Sequence, residues 1–255
     1  MKEFFKVILY QPLFNLFIAI LAITPGHSVA VAIIIITFLI RLLLTPIKYK
    51  SIESQLKQRE IQPEIKRIQE KYKDDRQAQS TAMMQLYKDK GVNPASGCLP
   101  MIVQLALLIS LYSVFRHGWG PSQESVLYSF VHLPPYINSA FFWVKDLTQA
   151  DHTLVLPVLA GIAQFFYTRS MMASMPTPVS TGSDDMSAIM SKQMMYLGPA
   201  FTILIGRTLP AALTLYWLVG TLVDWYQQVH VAKRVNHNLG NKVSVSVRTK
   251  KKETL

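Results

Sequence analysis

The chain has 255 residues, half of them hydrophobic, and a formal net charge of +11; its mean hydropathy is +0.23. Several long apolar runs in a chain of this size exclude an ordinary soluble domain. The single cysteine, Cys98, excludes an internal disulfide and an all-cysteine metal site. The positive excess suggests a nucleic-acid partner, but the basic residues lie beside apolar spans, where membrane topology accounts for most of them first.

Lys2 and Lys6 precede an apolar stretch in the manner of a secretory leader. No small-x-small cleavage site follows, so the N-terminus is read as retained. Residues 7–23 are apolar enough to span a bilayer, but Gln11, Pro12 and Asn15 interrupt the first half. A helix lying in the headgroup plane is the competing reading. Pro25-Gly26 breaks the chain before the first certain span.

That span is the run Val29 to Pro46, long enough to cross as one helix, and it contains Arg41. A charge at a helix centre costs at least ~2.5–3.5 kcal/mol and usually faces protein or trapped water. Lys48 is the next basic residue, so Arg41 sits roughly 10 Å below the surface at ~1.5 Å rise per residue. It either snorkels to the headgroups or lies buried in a watery cavity between helices; the second reading is preferred. Further spans are expected at about 98–115, 153–171, 194–208 and 211–231.

Segment 47–95 reads as a helical hairpin. Ile61, Ile65, Ile68 and Tyr72 recur at helical spacing, as do Met83, Leu86 and Tyr87, with a turn at Lys73-Asp74-Asp75. It holds eleven Lys and Arg against seven acidic residues; segment 116–151 holds two basic residues and the tail from 232 holds seven. The positive-inside rule therefore places the hairpin and tail in the cytoplasm and 116–151 outside. Residues 173–193 read as a flexible loop, and the tail after Gly240 as lacking regular structure. That tail is suited to anionic lipid or to ribosomal RNA.

Ordered stretches along the chain carry a family resemblance. They are Thr37-Phe38-Leu39-Ile40-Arg41 with Pro46, Gln62-Pro63-Glu64-Ile65, Glu70-Lys71-Tyr72, Leu86-Tyr87-Lys88, and Gly91-Val92-Asn93-Pro94. Gly97-Cys98-Leu99-Pro100 with Gln104, Leu156 to Gly161, Gln193-Met194-Met195-Tyr196, and Pro210 to Trp217 follow. In this order, over about 7–231, the chain resembles the YidC/Oxa/Alb family of membrane protein insertases.

The resemblance implies an all-α membrane protein: five transmembrane helices around a hydrophilic groove open to the cytosol and lipid, in a bacterial plasma membrane. It implies an interfacial amphipathic helix in 1–25, a first transmembrane helix in 26–46, the cytoplasmic hairpin in 47–95, helices two to five in 96–231, and a basic cytoplasmic tail in 232–255. No large extracytoplasmic domain is expected. The implied partners are nascent membrane proteins, the ribosome through tail and hairpin, membrane lipids and a Sec translocon, with the chain itself a monomer.

Arg41 would give the groove a positive charge that draws polar or acidic client flanks from the cytosol. Thr37 lies one turn away on the same face. Gln104 and Gln164 are amides inside spans, serving either the groove or helix–helix contact. Tyr216 and Trp217 read as interfacial aromatics, and the resemblance makes Trp217 a client-path residue instead. The fifth span departs from the family pattern, with Thr221 where Asn is common and then Asp224. Asp224 lies at a depth similar to Arg41, and either pairs with it or points to the cytosolic interface; the interface is slightly preferred. Arg207 is expected to snorkel to outer headgroups, and Cys98 to pack at a helix start.

No His-Glu-x-x-His, Gly-x-Ser-x-Gly or phosphate-loop motif is present. Neither catalysis nor a cofactor is expected. The main rival is a small-solute transporter or channel using Arg41, against which five unequal spans and a long hairpin argue. An intramembrane hydrolase and a purely structural translocon subunit are weaker alternatives.

Overall fold

The computed structural model describes residues 6–93, 99–119, 121–174 and 186–253. Cys98, the Gly97-Cys98 stretch, the first five residues and positions 175–185 of the expected loop lie outside them. Among the described residues the chain is helical, with only isolated bridges in the loops. A π turn, Lys6–Tyr10, leads into α1 (Gln11–Ile23). Then come α2 (Val29–Glu60), α3 (Gln62–Lys71), α4 (Arg76–Asp89), α5 (Leu99–His117), α6 (Val155–Met172), α7 (Met186–Gly206) and α8 (Ala211–Glu253). Among the described residues three segments, Lys6–Ile23, α2 and α5, are long and apolar enough to cross a membrane.

Three boundaries differ from the sequence reading. The helix that carries the first apolar run does not stop at Pro46 but continues through it to Glu60. Proline removes one donor from the ladder, and the residues beyond it are good enough helix formers to resume the helix. The loop expected at 173–193 gives way to helix at Met186, where Ala, Met, Lys and Gln dominate the sequence. Finally, α8 runs on through the basic tail to Glu253, where no regular structure was expected. The tail contains no proline to stop it.

The chain forms two compact units. The first comprises 1–45, 101–168 and 193–225. Its core gathers Phe14, Phe17, Ile18 and Leu21 of α1, Val29, Ile33 and Ile36 of α2, Leu111 and Phe115 of α5, and Leu213 and Tyr216 of α8. The polar residues that interrupt the first apolar run have a structural task. Asn15, 3% exposed, donates to the Gln11 and Val126 carbonyls at 2.8 and 3.0 Å and accepts from the Tyr128 amide at 2.7 Å. Gln11 also donates to the Val126 carbonyl, at 3.1 Å. These bonds fasten α1 to the loop after α5. Asn15→Leu strands the Tyr128 amide and is expected to cost about 1–3 kcal/mol, the penalty of a buried donor left unpaired. Thermal unfolding in detergent measures it, and an unchanged midpoint refutes it.

The loop before α6 is bonded to two helix starts. The Val29 amide donates to the Asn138 carbonyl, and the Ala211 and Ala212 amides donate to the Gln149 and Leu147 carbonyls. Asp151, 2% exposed, accepts from the Leu156 amide at 2.8 Å and from the Thr153 hydroxyl at 2.6 Å, so it caps α6. Burial pushes its carboxyl up, but the bonds from the Thr153 hydroxyl, the Leu156 and Thr153 amides and Trp143 outweigh this and hold it below its ordinary value. A depressed folded-state value means stability that is present above the ordinary value, near pH 4, and lost as pH falls through the folded one. Protection of the 137–154 backbone against hydrogen exchange should therefore drop on acidification below about pH 4. Asp151→Asn should abolish most of that dependence; an identical acid profile in the variant would contradict it.

The second unit comprises 46–100, 169–192 and 226–255. Within it, α3 and α4 pack through Ile61, Ile65, Leu86 and Val92 across the turn after Lys71. Asp75 caps α4 by accepting from the Gln77 and Ala78 amides at 3.0 and 2.9 Å. Lys90 pairs with Glu64 at 2.5 Å, but both are well exposed, so the pair adds little. A second small cluster joins Ile52 and Leu56 to Val235.

Candidate functional site

Arg41 is the natural starting point, because an apolar helix cannot leave a guanidinium unaccompanied. Its side chain is 9% exposed, and Nη1 lies 2.8 Å from a carboxylate oxygen of Asp224 on α8. The guanidinium is thus shielded, and Asp224 pairs with it, which corrects the slightly preferred reading that Asp224 points to the cytosolic interface. The guanidinium carbon also stands 6.0 Å from the centroid of the Tyr216 ring, within cation–π range. Tyr216 is fully buried. Gly220, one turn on, lets the guanidinium lie against the α8 backbone. A Cβ there would fall 2.5 Å from Nη2 and 3.1 Å from Nε.

Three polar atoms at this place are buried with no hydrogen bond of good geometry to protein: Arg41 Nε, the Tyr216 hydroxyl and Gln104 Oε1. The Tyr216 hydroxyl lies beside the Gln104 side chain, close enough for a loose hydrogen bond, and within electrostatic reach of Arg41 and Asp224. Four of the residues singled out in the sequence thus converge, from α2, α5 and α8. The others are placed differently. Thr37 is fully buried, but its hydroxyl donates to the Ile33 carbonyl of its own helix at 2.5 Å. Gln164 turns to Thr168 on α6, 3.3 Å away. Trp217 is half-buried beside Tyr216. Arg207 is exposed at the end of α7.

Glycine was the element that sequence reasoning passed over. Gly220 sets where the guanidinium rests. Gly161 of α6 meets α7 so closely that a Cβ would stand 2.4 Å from Ile203 Cγ1. Gly206 of α7 faces Pro157 in the same way, at 3.2 Å. Small residues inside apolar helices are the available signal for such close crossings.

Among the described residues no group of acidic, histidine or cysteine side chains could hold a metal ion. The arrangement offers hydrogen bonds and a balanced charge pair in an apolar setting. That suits binding of a polar segment.

The family model described as 60Kd inner membrane protein matches residues 20–238. The chain belongs to that family. Among members of the 60Kd inner membrane protein family, it is similar to proteins named membrane protein insertase YidC from Francisella tularensis subsp. novicida (strain U112), subsp. tularensis (strain WY96-3418) and subsp. holarctica (strain LVS). Each is 43% identical over 197 residues, which is 77% of this chain and 31% of the relative. The chain thus spans about a third of the length of these curated relatives.

Proposed function

We propose that this chain is a multi-pass insertase of the bacterial plasma membrane. It receives hydrophobic client segments from the cytosol in a hydrophilic groove and releases them to lipid. The observation that carries the reading is the 43% identity to proteins named membrane protein insertase YidC. Physical support comes from the charged pair inside apolar helices, since such residues mark pathways for polar cargo.

A client must carry a polar flank across hydrocarbon that penalises every unpaired polar group by several kcal/mol. A groove reaching partway through the bilayer shortens that dry path. Arg41, Asp224, Tyr216 and Gln104 form its polar floor in this reading, with Thr37, Gln164 and Trp217 along the client path. Five spans, α2 and α5 to α8, surround it, and α1 lies at the outer surface. No covalent bond changes and no cofactor is required. The hairpin and basic tail face the cytoplasm, where they meet ribosomes delivering nascent chains. The protein works as a monomer, alone or beside a Sec translocon.

The test is reconstitution in lipid vesicles with a single-span client carrying a short polar N-terminal flank. Protease protection should exceed that in protein-free vesicles several-fold and fall in Arg41→Ala. Equal protection with and without the protein would overturn the reading, and solute flux without insertion would favour a transporter.

A further inference from the structure

The Arg41 site is not a free cation. Asp224 occupies Nη1 at 2.8 Å, both side chains are largely shielded from solvent, and the formal charges of the pair cancel. A carboxylate arriving from elsewhere must compete with one tethered to the same bundle, whose effective concentration is far higher than that of any diffusing partner. Around the pair stand a donor, Arg41 Nε, and two neighbouring groups with no bond of good geometry, the acceptor Gln104 Oε1 and the Tyr216 hydroxyl, which serves as either. An uncharged group carrying both a donor and an acceptor, such as a peptide unit or a carboxamide, satisfies these atoms without disturbing the ion pair.

Resting on the insertase reading, we propose that Asp224 makes this site a charge-balanced receptor for neutral polar segments, and so sets the charge preference of the protein against acidic client flanks. Specificity of this kind is a difference between affinities, produced here by a built-in repulsive group. Asp224 disfavours an incoming carboxylate directly, by like charge, and indirectly, by holding the guanidinium in the Gly220 recess.

The experiment uses the full chain in vesicles and one client hydrophobic segment with three flanks, bearing two Asp, two Asn or two Lys. In the wild type, the rate for the Asp flank should be no higher than that for the Asn flank. In Asp224→Asn, the ratio of Asp-flank to Asn-flank rates should rise about five- to tenfold, as expected when a like charge is removed from a binding site. Asp224→Glu should keep the wild-type ratio. An acid preference already present in the wild type, or one common factor for all three flanks in Asp224→Asn, overturns the proposal. Modification of Arg41 by phenylglyoxal is a separate readout that needs no client. It should be several-fold faster in Asp224→Asn, and equal rates overturn the receptor geometry. If no flank inserts, the insertase reading itself falls, and the arginine chemistry still decides whether Asp224 shields the guanidinium.

Discussion

Arg41→Ala and Asp224→Ala, made singly, are each expected to destabilise the protein by about 3–5 kcal/mol, because each leaves one charge buried without its partner. Arg41 also loses its place over the Tyr216 ring, 6.0 Å from the centroid. The double variant Arg41→Leu with Asp224→Leu should recover most of this loss, since a well-packed apolar pair often equals or exceeds a buried ion pair in stability. Unfolding in detergent, followed for the two singles and the double, measures the coupling. Additive losses would show that the pair contributes no interaction of its own. The same double variant separates stability from function: a folded protein with an apolar floor should lose insertion of polar flanks.

The second large effect is expected at Gly161. Its missing Cβ would stand 2.4 and 2.7 Å from Ile203 Cγ1 and Cδ1 and 3.2 Å from the Pro199 carbonyl. The tip of an isoleucine can swing aside, but the Pro199 carbonyl is backbone. Gly161→Leu therefore forces α6 and α7 apart, and a cost of about 1–3 kcal/mol or more is expected from overpacking. Ile203→Ala in the same chain should restore part of it. Thermal midpoints of the three proteins test this, and no rescue by Ile203→Ala would place the strain elsewhere.

The sequence made some of these features readable and hid others for definable reasons. Arg41 stood out because charge in an apolar run is rare, and Asp224 because it lies at a matching depth. The hairpin stripe was readable from period alone, and Ile61, Ile65 and Leu86 do form its core. Thr37 shares a face with Arg41, as spacing required, but spacing says nothing of where a hydroxyl donates, and it donates to Ile33. Gln11 and Asn15 looked like interruptions because their partners are backbone groups of residues more than a hundred positions away. Gly220 carried no signal, since a glycine in an apolar helix gives no hint of what fills the space beside it. The continuation of α2 past Pro46 to Glu60 had no signal of its own in the apolar run, and the ladder on both sides is long enough to tolerate the one donor that proline removes.

The loop fastened to the starts of α2 and α8 has a mechanical consequence. Those two helices carry the ion pair, and the backbone bonds at Val29, Ala211 and Ala212 pin one end of each. Arg41 lies twelve residues along α2 from Val29, or ~18 Å at the usual rise. A tilt of about 5° at the pinned end therefore displaces the guanidinium by roughly 1.6 Å, on the lever arm that rise sets. Such a displacement is enough to part a contact of 2.8 Å. The riveted loop acts as a fulcrum, and a small rocking of either helix is amplified where the charges meet.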